Sequence, residues 1–177
     1  GKYNAIELDD IVENDYIITS NLTKEKTTIL KKMRYNSILL GDECKEMIFG
    51  VVISKNRHEI VSNKPIENYK PFLEGKDIGR YLIKPIHKYL NYNPKLLHRA
   101  RSKDIFESNE KLLVQRITGG AKPLKVAYDN SRYYNRESLN NIILKSDSNF
   151  LSRYVLCLLN SSLINWYYNN QFTNSST

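Results

Sequence analysis

The chain has 177 residues, 41% of them hydrophobic, with 13 Tyr among its aromatics, a formal charge of +8 and a pI of about 9.3. That length suits one domain, or one domain with a linker, and allows a single buried core. No apolar run approaches the ~20 residues of a membrane span, and the five acids within residues 7–15 argue against a signal peptide at the start.

Charge divides the chain. Residues 1–75 carry 11 Lys/Arg against 12 Asp/Glu, whereas residues 76–177 carry 16 against 7. Basic character confined to one part of a chain points to a polyanionic partner. The two cysteines, Cys44 and Cys157, lack CxxC spacing and supply neither a zinc site nor a disulfide framework. Cys157 sits in the apolar run RYVLCLLN, where a buried thiol acts as a small hydrophobe. A reducing cytoplasm is the expected compartment. Gly1 in place of Met predicts a piece of a longer polypeptide.

Residues 1–28 alternate short apolar pieces with acids and read as a lead-in with one short strand. Ile38–Phe49 predicts a short helix around Asp42–Met47 entering a strand. The β-branched Gly50–Ser54 is the next strand, with His58–Ser62 as its hairpin partner across the polar turn Lys55–Arg57. Glu67–Tyr81 is punctuated by Pro71, Gly75 and Gly79 and reads as a shaped loop with at most one helical turn.

Arg80–Tyr92 suits strands, split or placed at an edge by Pro85. Pro94 can open a helix over Pro94–Arg101 with Leu96, Leu97 and Ala100 as its apolar face, and Asp104–Ser108 adds a further turn. Lys111–Thr118, Leu124–Tyr128 and Asn140–Leu144 alternate as strands. Ser148 or Asp147 caps a helix over Asn149–Leu159, Asn160-Ser161-Ser162 interrupts it, and helical spacing resumes over Leu163–Asn170. The fold class is α+β: mixed strands and hairpins with a C-terminal helical pair.

Chemistry is sparse. No GxGxxG or GxxxxGK[ST] cradle is present. Asn93-Pro94-Lys95 lacks the second Pro and the aromatic that would hold a flipped base. Glu43-Cys44-Lys45 has the ExK spacing of a Mg²⁺-dependent nuclease, yet no well-placed upstream Asp completes it, so a solvated helix face is the reading. His58, His87 and His98 share no ligand spacing, and no serine lies in a GxSxG elbow. No catalytic residue and no metal ligand is assigned.

Basic and aromatic residues carry the stronger signal. Arg116, Thr118, Lys122 and Lys125 surround Gly119-Gly120 in one hairpin region, and Arg132-Tyr133-Tyr134-Asn135-Arg136 follows. Lys and Arg pair with phosphates, an Arg fork also reads guanine, and Asn suits adenine. With Lys55 and Arg57, these are the candidate DNA-binding residues.

The order PFLEGKDIGRY, KLLHRARSKDIF, EKLLVQRITG, LKVAYDNSRYYNRESLNNIIL and YVLCLLNSSLINWYY resembles the TaqI-like C-terminal specificity domain of N6-adenine DNA methyltransferases. That is the target recognition domain of stand-alone enzymes and of fused type II restriction–modification proteins. The match covers about residues 38–170. The resemblance implies a lead-in over residues 1–37 from a missing catalytic region and a DNA target recognition domain over 38–177.

It further implies that this part is no enzyme. Double-stranded DNA and a catalytic methyltransferase domain of the same polypeptide are its partners. It needs no cofactor of its own, whereas the parent uses S-adenosylmethionine, with Mg²⁺ if a nuclease is fused. Gly75, Lys76 and Asp77, with Asn160, Ser161 and Trp166, become fold-forming elements. One recognition unit of a type I restriction specificity subunit remains open, although no heptad helix is present. So does an RNA-binding or protein-interaction module, which the many tyrosines would suit.

Overall fold

A computed structural model describes residues 23–53, 60–116 and 122–172. In chain order the elements are helix α1 (Lys24–Arg34), a helical turn at Leu40–Glu43, and strands β1 (Cys44–Phe49), β2 (Val61–Ser62) and β3 (Lys70–Leu73). A turn at Gly75–Asp77 leads into β4 (Ile78–Gly79), β5 (Leu82–Ile83) and β6 (Tyr89–Leu90). A turn at Pro94–Leu96 and the short helix α2 (Lys103–Phe106) precede β7 (Lys111–Gln115), β8 (Val126–Asp129), β9 (Tyr134–Asn135) and β10 (Leu139–Leu144). Helices α3 (Ser152–Asn160) and α4 (Ser162–Gln171) complete the α+β fold.

The larger sheet is antiparallel in the order β1-β10-β7-β8. Successive side chains point to opposite faces of a strand, and the burial follows. Leu112, Val126 and Ile142 pack with Val155 of α3. Leu113, Ala127 and Leu139 pack with Leu73 and Ile78 on the other face. The smaller sheet runs β2-β6-β3-β9, with β3 and β9 parallel. It encloses Val51, Phe72, Leu90, Phe106 and Tyr134, whose Phe106 and Tyr134 rings stack 4.5 Å apart.

The helical pair closes the edge of the larger sheet by an unusual route. The Asn160 carboxamide accepts from Val126 N (3.2 Å) and donates to Val126 O (2.9 Å), mimicking the next strand. Asn165 accepts from Leu124 N (2.8 Å) and donates back to Ser161 O (2.9 Å). Both asparagines are buried. Ser161 ends α3 and caps α4 by accepting from Ile164 N at 3.1 Å. Asn160→Leu should therefore cost about 1–3 kcal/mol, since it strands Val126 N without a partner while Val126 O keeps its bond from Tyr81 N (2.8 Å). Urea denaturation measures it, and a cost under about 1 kcal/mol would remove this role.

Several expectations are corrected by tertiary pairing. The helix expected at Asp42–Met47 is a turn at Leu40–Glu43 followed directly by β1, because β10 recruits that segment into the sheet. Glu43 accepts from Ser148 Oγ (2.6 Å) and so ties this turn to the approach to α3 rather than lying on a solvated helix. The strand expected at 50–54 is reduced to single bridges at Val51 and Val52. β2 pairs with β6, not with that segment. The helix expected over Pro94–Arg101 stops after Leu96, because Val52 takes His98 N and Arg99 O (both 3.0 Å) into a bridge.

Trp166 is half-buried while Asn165 takes the interior position, and Cys157 is exposed. Helix α1, which the alternation of residues 1–28 did not predict, buries Leu30 and donates from Arg34 Nε to Tyr167 Oη of α4 (3.2 Å). The one-strand reading of the lead-in otherwise lies outside the described residues.

Candidate nucleic-acid interface

One end of the larger sheet gathers cationic side chains from distant parts of the chain. β1 ends there at Phe49, β7 runs out to Arg116, and β10 begins there at Leu139. Arg116 N donates to Ser138 O (3.0 Å) and its Nη1 to Glu137 O (3.1 Å), so the exposed guanidinium stays beside the start of β10. Arg136 enters the same place from β9, through its backbone N–H to Leu73 O (2.9 Å) and a bridge to Val51.

Arg136 is held by carboxylates. Its Nε meets Glu137 (3.0 Å) and its Nη1 meets Glu74 (3.2 Å), while Glu74 also pairs with Lys88. Burial works against the Arg136 cation, but hydrogen bonds and charge from Glu137, then Glu74, outweigh it and raise its pKa. Glu74, Gly75, Lys76, Gln115, Arg136, Glu137 and Ser138 line an open pocket here. The Gly75 turn is fixed to it, since Gly75 N donates to Ser138 Oγ (2.9 Å).

Lys122 is exposed and Lys125 half-buried, beside the start of β8, where Lys125 O accepts from Gln115 N (3.1 Å). Arg116, Lys122, Lys125 and Arg136 thus share one end of the sheet. Arg132 does not: it follows Asp129, which pairs with Lys111 at the beginning of β7, and its Nη2 donates to Asn109 (2.8 Å). Five residues of β7, roughly 16 Å of strand, separate that end from Arg116.

Tyr133 is half-buried against the Leu73 cluster. Tyr134 and Asn135 lie inside the domain, 1% and 0% exposed. Tyr134 donates to Glu107 (2.7 Å), and burial, then that hydrogen bond, push its phenol far above the ordinary range. Asn135 donates to Leu139 O (3.0 Å). Both side chains therefore tie β9 into the core, and burial withdraws them from a surface role. Lys55, Arg57 and Thr118 lie outside the described residues.

Arginines that periodicity did not single out join this end. Arg101 lies over the Phe49 ring, its guanidinium carbon 3.9 Å from the centroid, and Arg116 approaches the same ring at 5.3 Å. Arg99 is exposed two residues earlier. Read with a period of two, Arg99, Arg101 and Lys103 would have fallen on one face; the apolar spacing suggested a helix instead. Among the described residues, no group of three His, Cys, Asp or Glu could hold a metal ion, and no helix is long and apolar enough to cross a membrane.

Residues 70–177 match the TaqI-like C-terminal specificity domain, more than half of the chain. The chain is also 30% identical, over 145 residues, to a protein of Methanocaldococcus jannaschii described as a type II restriction enzyme and methyltransferase. That alignment covers 79% of this chain and 12% of the relative.

Proposed function

This chain belongs to the TaqI-like C-terminal specificity domain family, and from that premise we propose that it binds and reads double-stranded DNA for a site-specific adenine methyltransferase. The parent is either a stand-alone enzyme or a fused type II restriction–modification protein. In either case the methyl transfer from S-adenosylmethionine, and any Mg²⁺-dependent cleavage, belongs to other parts of the polypeptide. The methyltransferase relative, of which this chain spans about an eighth, supports that division.

The observation that carries the reading is the convergence of Arg116, Lys122, Lys125 and Arg136 at one end of a rigid sheet, within the basic part of the chain. Cations on a fixed frame can follow a phosphate backbone, and a fork held as Arg136 is by Glu74 and Glu137 keeps one orientation toward a base edge. Lys55, Arg57 and Thr118 extend the proposed contact set, with Arg132 and Tyr133 as its more distant members.

Titration of duplex DNA with the chain over a range of KCl concentrations tests this. With about five phosphate contacts, log K should fall against log salt with a slope of roughly −4 to −5. A slope near zero, or preference for single-stranded RNA at matched salt, would refute the assignment.

A further inference from the structure

The Phe49 site differs from the Arg136 site at the same sheet end, where Glu74 and Glu137 bracket the cation. Arg99, Arg101 and Arg116 have no carboxylate partner among the described residues. Yet both the Arg101 and Arg116 guanidinium carbons lie within 5.3 Å of one ring centroid. Cations gathered without counter-charge repel one another, and a fold keeps them together only at a cost.

Arg101 is also held with unusual care. Its backbone sits in the left-handed region at φ 66°, which is strained for a residue with a side chain. Tyr92 Oη donates to its carbonyl, its Nε donates to Phe49 O (3.2 Å), and its guanidinium carbon lies over the Phe49 ring. The two terminal nitrogens keep their N–H donors unengaged by the described residues. Burial, then the charge of Arg99, pulls the Arg101 guanidinium below its ordinary range, as expected where like charges crowd. An arginine so fixed is prepared for an anion that arrives from outside.

We infer that Arg99, Arg101 and Arg116 grip a backbone phosphate of the duplex, with Phe49 as the platform that fixes the Arg101 fork, and that the three position DNA without reading bases. The inference rests on the DNA-binding function proposed above. A phosphodiester offers two charged oxygens to several donors at once, which fits converging guanidiniums. Base readout instead aims one fork at one edge.

The test uses the 177-residue chain and a pool of random-sequence duplexes. Arg99→Ala, Arg101→Ala and Arg116→Ala are compared with the unmodified chain across KCl concentrations, and the bound sequences are determined. Each variant should bind about tenfold more weakly on all duplexes, with a salt slope shallower by about 0.9 for each phosphate that is no longer neutralised. The enriched sequences should not change. Unchanged affinity and slope, or a shifted sequence preference, would overturn the inference while leaving the DNA-binding function standing. If Arg101→Ala fails to fold by circular dichroism, Arg99→Ala decides, because that side chain is exposed and supports no element. Absence of duplex binding by the unmodified chain would overturn both.

Discussion

Asp129→Ala should destabilise the domain by about 3–5 kcal/mol, because it leaves a buried ammonium without its counter-charge. Lys111 Nζ lies 2.6 Å from Asp129 Oδ2, and both side chains are fully buried. The same ammonium donates to Phe106 O (2.7 Å), pinning α2 to the start of β7. Asp129 in turn accepts from Ser131 N (2.7 Å) and Tyr133 N (3.0 Å), folding the loop that carries Arg132 and delivers the chain to β9. Burial pulls the Lys111 pKa down, and the Asp129 charge and hydrogen bond oppose it.

Without Asp129 that opposition disappears and the folded-state pKa of Lys111 falls further. The unfolded chain, with a lysine pKa near 10.4, then binds more protons than the folded one over a wide range. Stability of the variant should therefore rise with pH up to about 10, and its deficit relative to the unmodified domain should narrow. Chemical denaturation at several pH values measures both effects. A pH-independent deficit would mean that the missing loop hydrogen bonds, rather than the stranded cation, account for the loss. Lys111→Met combined with Asp129→Ala should cost less than the sum of the single changes, since the pair fails as a unit.

What could be read from the residues depended on whether the signal was local. β7 and β10 alternate over buried leucines and isoleucines, and both were legible. The break at Asn160-Ser161-Ser162 between two helical runs was legible, and Ser161 caps the second of them. The turn at Gly75–Asp77 was expected from its glycine, and its Glu74–Asp77 capping box explains why the turn stops there.

Long-range pairing was hidden. His98 and Arg99 leave their helical pattern only because Val52, far away in sequence, offers a partner. Helix α1 buries a single leucine and so carries little amphipathic signal, although Thr23 caps it and Lys31, Lys32 and Arg34 suit its C-terminal dipole. The same limit divided the candidate site. Arg116 and Arg136 were named from composition and do converge. The run 132–136 looked like one exposed ribbon, but its parallel pairing with Phe72 and Leu73 draws Tyr134 and Asn135 inside and separates Arg132 from Arg136. Arg101 was invisible because its role depends on a left-handed backbone and on the Phe49 ring, neither of which leaves a periodic mark.

Gly50→Ala should cost about 3 kcal/mol or more. A Cβ at Gly50 would lie 2.0 Å from Asn135 O, 2.6 Å from Asn135 C and 2.5 Å from its Nδ2. Those atoms cannot yield separately. Asn135 O already accepts from Val51 N (2.9 Å), Gly50 N donates to Leu139 O (3.1 Å), and the Asn135 carboxamide donates to the same Leu139 carbonyl (3.0 Å). One methyl group would therefore part β9 from the end of β1 and from the start of β10 together. Such overpacking against backbone exceeds the usual 1–3 kcal/mol, because no rotamer change relieves it. Gly41→Ala is the matched control: a Cβ there meets nothing within 4 Å, and the change should stay within about 0.5 kcal/mol. Equal urea midpoints for the two variants would show that general backbone entropy, not this clash, governs glycine in the domain. Because Phe49 and Val51 flank the clash, the Gly50 variant should also lose duplex affinity at temperatures where it remains folded, whereas the Gly41 variant should bind normally.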